Sequence, residues 1–448
     1  MFNSDDTAVA ILEKHSDPLE SKRTTAAATL HFNCKITADN RIHRGIHPIT
    51  SQDSHHKNLA TLITTSLTRL PEASSSDPAR TLWVSPPSRS GAWLLKQKPD
   101  VVSVTRGPGM HGSLSAGLNT AKGLAVAWQV PLLGVHHMQA HALTPRLVTS
   151  LEKNGDSKAT ACFDHAVRPS FPFLTLLASG GHTILLESKS IVDHAIITET
   201  SDIAVGDTLD KIGRDILPEA VLQDTLDGMY ARSLETFCFP SIANGPNPRI
   251  SGPRYDYLAP QTLRHEYESK ASSYGWSLTP PFSTGASAGR ARNREFTFTG
   301  VGSQVRKIGQ TRGSDMSQAE RQELGREAMR VVFEHIANRV VAALEGRPEI
   351  DTLVVGGGVA SNAFLRHILA VYVQSRYTAL TKRTVSVFAP PISLCTDNAA
   401  MVAWAGLEMW AAGWRTDLTA RAIRRWSMDP GGTDGGILGV EGWYTAIP

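Results

Sequence analysis

The sequence predicts an α/β protein built from two domains. Its 448 residues exceed the usual size of one hydrophobic core. In each half, an apolar run of strand type is followed by a stretch with helical spacing and then by another apolar run. This strand–helix–strand order is typical of α/β proteins. Glycine-rich loops at the ends of several predicted strands agree with that fold class.

The composition is that of an ordinary globular protein, with 41% apolar and 19% charged residues. A net charge of +3 does not by itself indicate nucleic-acid binding, so such binding would need a local patch. The four cysteines lie far apart without a CxxC pair, which argues against a disulfide scaffold and favours a reducing compartment. No apolar run approaches the roughly 20 residues of a membrane span, so no membrane partner is expected.

The first domain is predicted to cover residues 1–168. Alternating residues indicate a strand at 7–13, and 26–36 is its expected hairpin partner. The Ser- and Pro-rich residues 72–96 are interpreted as a loop-bearing insertion. Further strands are predicted at 101–105 and 130–135, with helices at 55–67 and 114–128.

The second domain is predicted to cover residues 169–448. Residues 217–294 lack a clear period and are interpreted as an insertion that is partly helical around 222–237. Strands are predicted at 171–178, 184–186, 352–355 and finally 385–389, with helices at 319–344, from 363 and at 399–410.

A histidine pair follows the strand at 130–135, at the start of a predicted helix. His137 and His141 are four residues apart and share one helix face, so both imidazoles can bind one metal ion. Packing or surface solvation is the alternative for such a pair. Asp397, between a strand and an apolar helix, is either a third ligand or the N-cap of that helix. A trio of two imidazoles and one carboxylate suits Zn, Fe or Mn, and Mg remains open.

Three loops are suited to binding phosphate or nucleotide, namely residues 4–7, 179–183 and 356–362. Where glycine is present, backbone amides can approach an anion closely. The chain has no GxxxxGK[ST] motif, and no GxGxxG follows its first strand. These absences exclude a P-loop protein and argue against a Rossmann dinucleotide site.

Six motifs together resemble the tRNA adenosine threonylcarbamoyltransferases, once described as O-sialoglycoprotein endopeptidases. The resemblance runs from Asp5 to about Gly413. In chain order the motifs are Asp5-Asp-Thr, Gly107-Pro-Gly, His137-x-x-x-His, Ser179-Gly-Gly-His-Thr, Gly357-Gly-Val-Ala-Ser-Asn and Cys395-Thr-Asp-Asn. The segment Tyr274-Gly-Trp-Ser-Leu-Thr-Pro-Pro281 resembles fungal organellar members rather than bacterial ones.

The resemblance implies an actin/Hsp70/sugar-kinase (ASKHA) fold, in which two RNase H-like lobes of one glycoprotease-like domain enclose a nucleotide. It also implies transfer of a threonylcarbamoyl group from threonylcarbamoyl-AMP to N6 of adenosine 37 in tRNAs that read codons beginning with A. The expected partners are tRNA, threonylcarbamoyl-AMP and a second copy of the chain in a homodimer. The expected compartment is the mitochondrion, with the cytoplasm as the alternative.

Site residues are carried over from the resemblance one by one. One divalent metal ion per subunit is expected at His137, His141 and Asp397. Asp5 or Asp6 is expected to orient or deprotonate the attacking amine. The residues expected to contact the acyl-adenylate are Leu177, Ala178, Ser179, Gly180, Gly181, Asp210 and Asn362.

The chain departs from the family pattern in two places. The family begins with an apolar strand ending Glu-Thr-Ser-Cys, whereas only Asn3-Ser4 precedes Asp5 here, so we expect a truncated gene model that lacks this strand and any targeting peptide. Sequencing the 5′ end of the transcript tests that expectation. The family's Gly-Gly-Pro loop is also replaced, by residues 214–219, so contacts from those glycines are not carried over.

Three other functions are weighed against this one. A zinc protease of the HExxH type needs a glutamate after the first histidine, and Met138 stands there. A sugar kinase or other ATPase of the same fold would use Mg²⁺ and would not need the histidines. An inactive scaffold is the third alternative, because the first strand is expected to be missing.

Two arginine clusters are the predicted tRNA contacts, with a solvated surface as the alternative for each. They are Arg290, Arg292 and Arg294, and Arg421, Arg424 and Arg425. Trp426, beside the second cluster, is expected either to stack on a base or to be buried.

Overall fold

The chain forms two compact units, seen here in a computed structural model. The first consists of Met1–Phe171, Ser188–Ala195 and Thr396–Pro448, and the second of Pro172–Glu187 and Ile196–Cys395. The residues that the structure describes are 4–15, 27–40, 43, 46–75, 77–86, 91–151, 167–225, 229–240, 255–260, 262, 265, 268–283 and 295–446.

The described residues of the first unit form three sheets. Strands β1 (Asp6–Lys14) and β2 (Ala28–Thr37) form an antiparallel pair whose register shifts between Ile11 and Leu12. A second hairpin joins β3 (Thr81–Val84) and β4 (Leu94–Gln97). The third sheet has the order β13-β12-β6-β5, and its members are β5 (Val102–Gly107), β6 (Leu132–His136), β12 (Trp414–Thr416) and β13 (Trp443–Thr445).

The helices of the first unit pack on these strands. They are α1 (Pro48–Leu67), α2 (His111–Trp128), α3 (His137–Leu151) and α11 (Ala399–Ala411). Helix α1 contacts β1, α2 contacts β5, and α11 contacts both of those strands as well as α3. Leu118, Ala121 and Ala125 of α2 share a buried cluster with Val104 of β5. Apolar residues three or four apart therefore bury one face of α2, as the sequence predicted.

The second unit is built around one five-stranded sheet of order β11-β10-β7-β8-β9. Its strands are β7 (Phe173–Ala178), β8 (Thr183–Ser188), β9 (His194–Glu199), β10 (Thr352–Gly356) and β11 (Ser386–Phe388). Its helices are α4 (Val205–Ile216), α5 (Glu219–Asp224), α6 (Tyr230–Cys238), α7 (Thr299–Arg312), α8 (Gln318–Glu345), α9 (Ala363–Thr381) and α10 (Ile392–Cys395). Strand β10 lies parallel to β7 and β11.

Most predicted elements are present, and three expectations differ from the structure. Residues 72–96 overlap the β3–β4 hairpin, in which Thr81, Trp83 and Val84 of β3 are strand-forming residues. The strand at 385–389 is not the last, because β12 and β13 follow it. Residues from Thr396 belong to the first unit rather than to the predicted second domain, since β12 pairs with β6.

The predicted insertion at 217–294 contributes to the core of the second unit. Helices α5 and α6 account for the expected helical part around 222–237. Tyr255, Trp276 and Leu278 join the buried cluster formed by β7, β10 and α8. Arg290, Arg292 and Arg294 lie outside the described residues. Among those described, no helix is both long and apolar enough to cross a bilayer.

His194 makes folding stability depend on pH. Its Nδ1 lies 2.9 Å from the Ser188 hydroxyl, and its Nε2 lies 3.1 Å from the Ile191 carbonyl oxygen. Burial lowers the pKa of His194 to about 4. On acidification, His194 therefore takes up a proton in the unfolded chain at a higher pH than in the folded chain. The stability that the neutral imidazole contributes is fully present above about pH 6.5 and is lost as the pH falls toward 4.

We expect acidification through that window to cost about 3 kcal/mol of unfolding free energy through His194. Urea unfolding at pH 7 and pH 4 measures the effect. His194→Asn should flatten the pH dependence, whereas His265→Asn, at an exposed histidine, should leave it unchanged. If the unfolding free energy changed equally with pH in the wild type and in His194→Asn, the assignment of this pH dependence to His194 would be wrong.

Candidate metal centre and nucleotide loops

The histidine pair lies where strand β6 passes directly into helix α3. Strand β6 ends at His136, and the helix begins at His137. The His136 Nδ1 accepts hydrogen bonds from the backbone amides of Met138 and Gln139, and its Nε2 donates to the Trp426 carbonyl oxygen. His136 therefore acts as the N-cap of α3, a role that was not predicted. The cap fixes the first turn of α3, which carries His137. His141 follows about one turn further along the same helix.

Asp397 completes the predicted trio. Its Oδ1 lies 3.0 Å from the Nε2 of His141 and 3.5 Å from the Nε2 of His137. One ligand atom from each residue lies within 4.8 Å of the others. Ligand atoms about 2.0–2.2 Å from a tetrahedral metal are separated by about 3.4 Å, so the trio fits one ion after small side-chain adjustments.

The alternative role of Asp397 as an N-cap is wrong, because its neighbour takes that role. The Asn398 side chain accepts a hydrogen bond from the Met401 amide and caps α11. Asp397 is thereby left to face the histidines. Burial alone would raise the pKa of the Asp397 carboxyl, but the nearby His137 and the hydrogen bond from His141 pull it well below its usual range. The carboxylate is therefore ionised at neutral pH, as a metal ligand must be.

The two predicted catalytic acids lie at the start of β1. Asp6 accepts hydrogen bonds from Lys35 (3.1 Å) and Thr37 (2.5 Å) on β2. Burial raises the pKa of Asp6 despite these partners, and the negative charge of Asp397 adds to the increase. Asp6 thus shares an electrostatic environment with the metal trio. Asp5 instead accepts from the Asn40 side chain and links β1 to the residues before α1.

The predicted substrate loop joins β7 to β8 in the second unit. The side chains of Leu177 and Ala178 are buried, so only their backbone groups can contact a ligand. Gly180 and Gly181 are exposed, and a Cβ on either would meet no atom within 4 Å. Their amides donate no hydrogen bond to the residues that the structure describes. This arrangement leaves two amides accessible to an anion, and their contact with the acyl-adenylate stays a prediction.

Two other segments converge on that loop. The Gly206 amide, at the N-terminus of α4, donates to the Ser179 carbonyl oxygen, and a Cβ at Gly206 would lie 2.7 Å from the same oxygen. Gly357 has a φ of +89°, and its Cβ would lie 2.4 Å from the Ala178 carbonyl oxygen. Both positions therefore require glycine, because any side chain would collide with backbone. The glycine loops after β7 and β10 lie against each other.

Asp210 and Asn362 make structural contacts of their own. The Asp210 carboxylate accepts a hydrogen bond from the Ala231 amide at the start of α6. The Asn362 side chain accepts from the Leu365 amide and caps α9. Both residues thus fix helix ends, and Asn362 also ends the glycine loop after β10. Their predicted contacts with the acyl-adenylate stay predictions.

The first unit of this α/β protein holds a trio of residues that could bind a metal ion, close to the buried Asp6, and the second unit holds glycine loops at strand ends. These are elements that a metal-dependent group-transfer enzyme would need. The model of the tRNA N6-adenosine threonylcarbamoyltransferase family matches residues 92–404. The chain belongs to this family of transferases, and the prediction of the family from the sequence is confirmed. The protease, sugar-kinase and scaffold alternatives are therefore set aside.

Curated relatives agree with this assignment. The mitochondrial tRNA N6-adenosine threonylcarbamoyltransferase of Schizosaccharomyces pombe is 31% identical over 98% of this chain and 87% of its own length. The enzymes of Paramagnetospirillum magneticum and Sphingopyxis alaskensis are 30% and 31% identical. Each of these two matches covers 74% of this chain, and the matches cover 77% and 75% of the relatives' own lengths respectively.

Proposed function

We propose that this chain transfers the threonylcarbamoyl group of threonylcarbamoyl-AMP to N6 of adenosine 37 in tRNA, within mitochondria. The cluster of His137, His141 and Asp397 in a member of this family is the observation that carries the proposal. Mitochondrial location follows the name of the Schizosaccharomyces pombe relative. An actin/Hsp70/sugar-kinase fold with a nucleotide between two lobes, and a homodimer, are parts of the same proposal.

The donor is an acyl-adenylate, so the reaction is acyl transfer with AMP as the leaving group. A divalent metal held by His137, His141 and Asp397 would neutralise charge that develops on the phosphate or carbamoyl oxygens. The ionised Asp397 and the buried imidazoles form a donor set of mixed nitrogen and oxygen type, which suits Zn, Fe or Mn and leaves Mg open.

The chain's own groups perform the remaining tasks. The backbone amides of Gly180 and Gly181 bind the phosphate of the donor, because they are exposed and free of side-chain obstruction. Asp6 accepts a proton from the attacking amine as the new C–N bond forms. Its raised pKa makes it a stronger base than an ordinary carboxylate, and Lys35 and Thr37 hold it in place.

Nucleoside analysis tests the proposal. Mitochondrial tRNA from a null strain should lack threonylcarbamoyladenosine by mass spectrometry, and the chain expressed in that strain should restore it. Cytosolic tRNA from the same cells is the matched control for compartment. Unchanged threonylcarbamoyladenosine in the tRNA of every compartment would reject the function, and loss confined to cytosolic tRNA would reject the location.

An arginine strip near the C-terminus is the described surface most suited to tRNA phosphates. Arg421, Arg424 and Arg425 are exposed, while their backbone is held in place. The buried Arg106 donates to the Arg421 carbonyl oxygen, and the Gly109 amide donates to that of Arg424. Trp426 is buried, and its Nε1 donates to the Gly436 carbonyl oxygen, so it is not placed to stack on a base.

We expect the double variant Arg424→Gln and Arg425→Gln to reduce the salt dependence of tRNA affinity. Each phosphate contact contributes about 0.7–0.9 to the slope of log K against log salt, so the slope should fall by roughly 1.5. Filter binding between 50 and 300 mM KCl measures it. The matched control, Lys307→Gln with Lys382→Gln, removes two exposed charges elsewhere. If the two double variants had equal slopes of log K against log salt, the arginine strip would not be part of the tRNA interface.

A further inference from the structure

Lys35 is a cationic side chain of β2 that lies close to the candidate metal centre of the first unit. Lys35 and Thr37 alternate with the half-buried Cys34 and Ile36, so both share the exposed face of the strand. The Nζ of Lys35 lies 3.1 Å from the Oδ2 of Asp6. The charge of Lys35 therefore stands next to the proposed base.

Strand β2 also packs on the two helices that position the metal trio. It contacts α3, which carries His137 and His141, and α11, which starts just after Asp397. Burial acts to raise the pKa of the Asp397 carboxyl, but the two histidines and the positive charge of Lys35 bring it well below its usual range. Lys35 thus acts electrostatically on Asp397 as well as on Asp6.

Support of Asp6 does not by itself explain a lysine at this position. Thr37 already donates a hydrogen bond to Asp6 over 2.5 Å. Burial raises the pKa of Asp6, which favours its role as a base, whereas the charge of Lys35 opposes that increase. A lysine that only held Asp6 would therefore weaken the base that it supports.

The ammonium group of Lys35 has hydrogen-bonding capacity beyond its contact with Asp6. A lysine has three N–H donors, and within the described part of the chain the Nζ of Lys35 makes one hydrogen bond, to Asp6. The side chain is 33% exposed, so a ligand can reach it. Two donors therefore remain for a ligand with oxygen acceptors.

The threonylcarbamoyl group carries a carboxylate, which is such a ligand. The carboxyl carbon of its threonine part is three bonds from the carbamoyl carbon, a distance of about 3–4 Å. A carbamoyl group beside the trio therefore brings a negative charge close to Asp6 and Asp397, and like charges at such distances repel each other. The two aspartates balance the charge of a divalent ion, which leaves Lys35 to balance the substrate carboxylate.

We propose that Lys35 binds the α-carboxylate of the threonylcarbamoyl group through the two ammonium donors that Asp6 does not use. This role rests on the proposed function, because it concerns the donor of that reaction. Lys35 thereby selects carbamoyl donors made from amino acids over uncharged carbamoyl donors. Asp6 and the trio act at the neighbouring carbamoyl carbon.

Two donors that differ only in charge test this role. One is threonylcarbamoyl-AMP, and the other is the same compound with a carboxamide in place of the carboxylate, which keeps the shape and removes the charge. We expect the wild-type kcat/KM for tRNA modification to be at least about 10-fold higher for the acid than for the amide, because a charge-assisted hydrogen bond is lost with the amide. Lys35→Met, which is uncharged and of similar length, should reduce this ratio to about 2 or less.

Two further variants separate substrate binding from support of Asp6. Lys35→Arg keeps the charge and should keep most of the preference for the acid. Thr37→Val is the matched control, because it removes the other hydrogen bond to Asp6 and leaves Lys35 in place. It should slow the transfer from both donors by the same factor.

Binding measurements make the result independent of turnover. Non-reactive sulfamate analogues of the acid and of the amide serve as ligands in calorimetric titration, and AMP alone is the third ligand. The wild type should bind the acid analogue at least about 10-fold more tightly than the amide analogue, and Lys35→Met should bind the two about equally. Lys35→Met should bind AMP as the wild type does.

Four outcomes would overturn the proposal. If Lys35→Met slowed transfer from both donors by the same factor, Lys35 would only position Asp6. A wild type without preference for the acid would show that the carboxylate is not recognised. Weaker binding of AMP to Lys35→Met would assign Lys35 to the donor phosphate instead. A wild type that neither used nor bound either donor would reject the proposed function together with this proposal, which distinguishes that outcome from the other three.

Discussion

We expect the variant His141→Ala to lose metal binding and to transfer the threonylcarbamoyl group at least about 100-fold more slowly. Even residues that only hydrogen-bond to a metal ligand typically contribute about 10–100-fold to metal affinity or activity. His141 Nε2 lies 3.0 Å from Asp397, so removing the imidazole leaves a trio with two members. Metal content by plasma mass spectrometry and single-turnover transfer to tRNA are the measurements. The fold should be retained, because the His136 cap of α3 is untouched.

Two matched controls separate metal loss from general damage. His56→Ala removes an exposed histidine of α1 and should change neither metal content nor transfer. Asn398→Ala removes the cap of α11 beside Asp397 and should cost about 1 kcal/mol of stability while the metal is kept. Wild-type metal content or full tRNA modification in His141→Ala would contradict the assignment of a metal centre to these residues.

The variant Gly357→Ala should be destabilised by about 3 kcal/mol or more, because its φ of +89° and ψ of 169° are accessible in practice to glycine alone. The new Cβ would also lie 2.4 Å from the Ala178 carbonyl oxygen. The loop at Ser179–Gly181 would have to move away, so we expect donor binding to be lost as well. Urea unfolding and calorimetric titration with AMP are the measurements.

Gly358→Ala is the matched control for that variant. It is the next residue in the chain, and a Cβ there would meet no atom within 4 Å. Its unfolding midpoint and AMP affinity should stay close to those of the wild type. If the two variants have the same midpoint, the close contact between the glycine loops does not contribute to stability in solution.

Local sequence patterns predicted much of the fold because the responsible interactions are short-range. The alternation in β1 and the 3.6-residue spacing of α1, α2 and α8 are visible within single segments. The predicted histidine spacing is local too, since one helical turn separates His137 from His141. The β3–β4 hairpin was missed because its strands are four residues long and lie in a Ser- and Pro-rich region.

Other features could not be read from the sequence because they depend on contacts between distant segments. Asn398 and Asp397 are adjacent and both are good helix caps, so only the folded backbone decides that Asn398 caps α11 and Asp397 faces histidines some 256 positions earlier. Likewise, His136 and His137 are neighbours of one type, yet the first caps a helix and the second faces a carboxylate.

The sequence by itself determined the α/β class, the family and the residue types of the candidate metal-binding trio, because periodicity and motif spacing are local properties. Tertiary structure alone decided that the C-terminal residues return to the first unit, where β12 pairs with β6. Strand neighbours in a sheet are chosen by the burial of residues far apart in the chain, and no single segment encodes that choice.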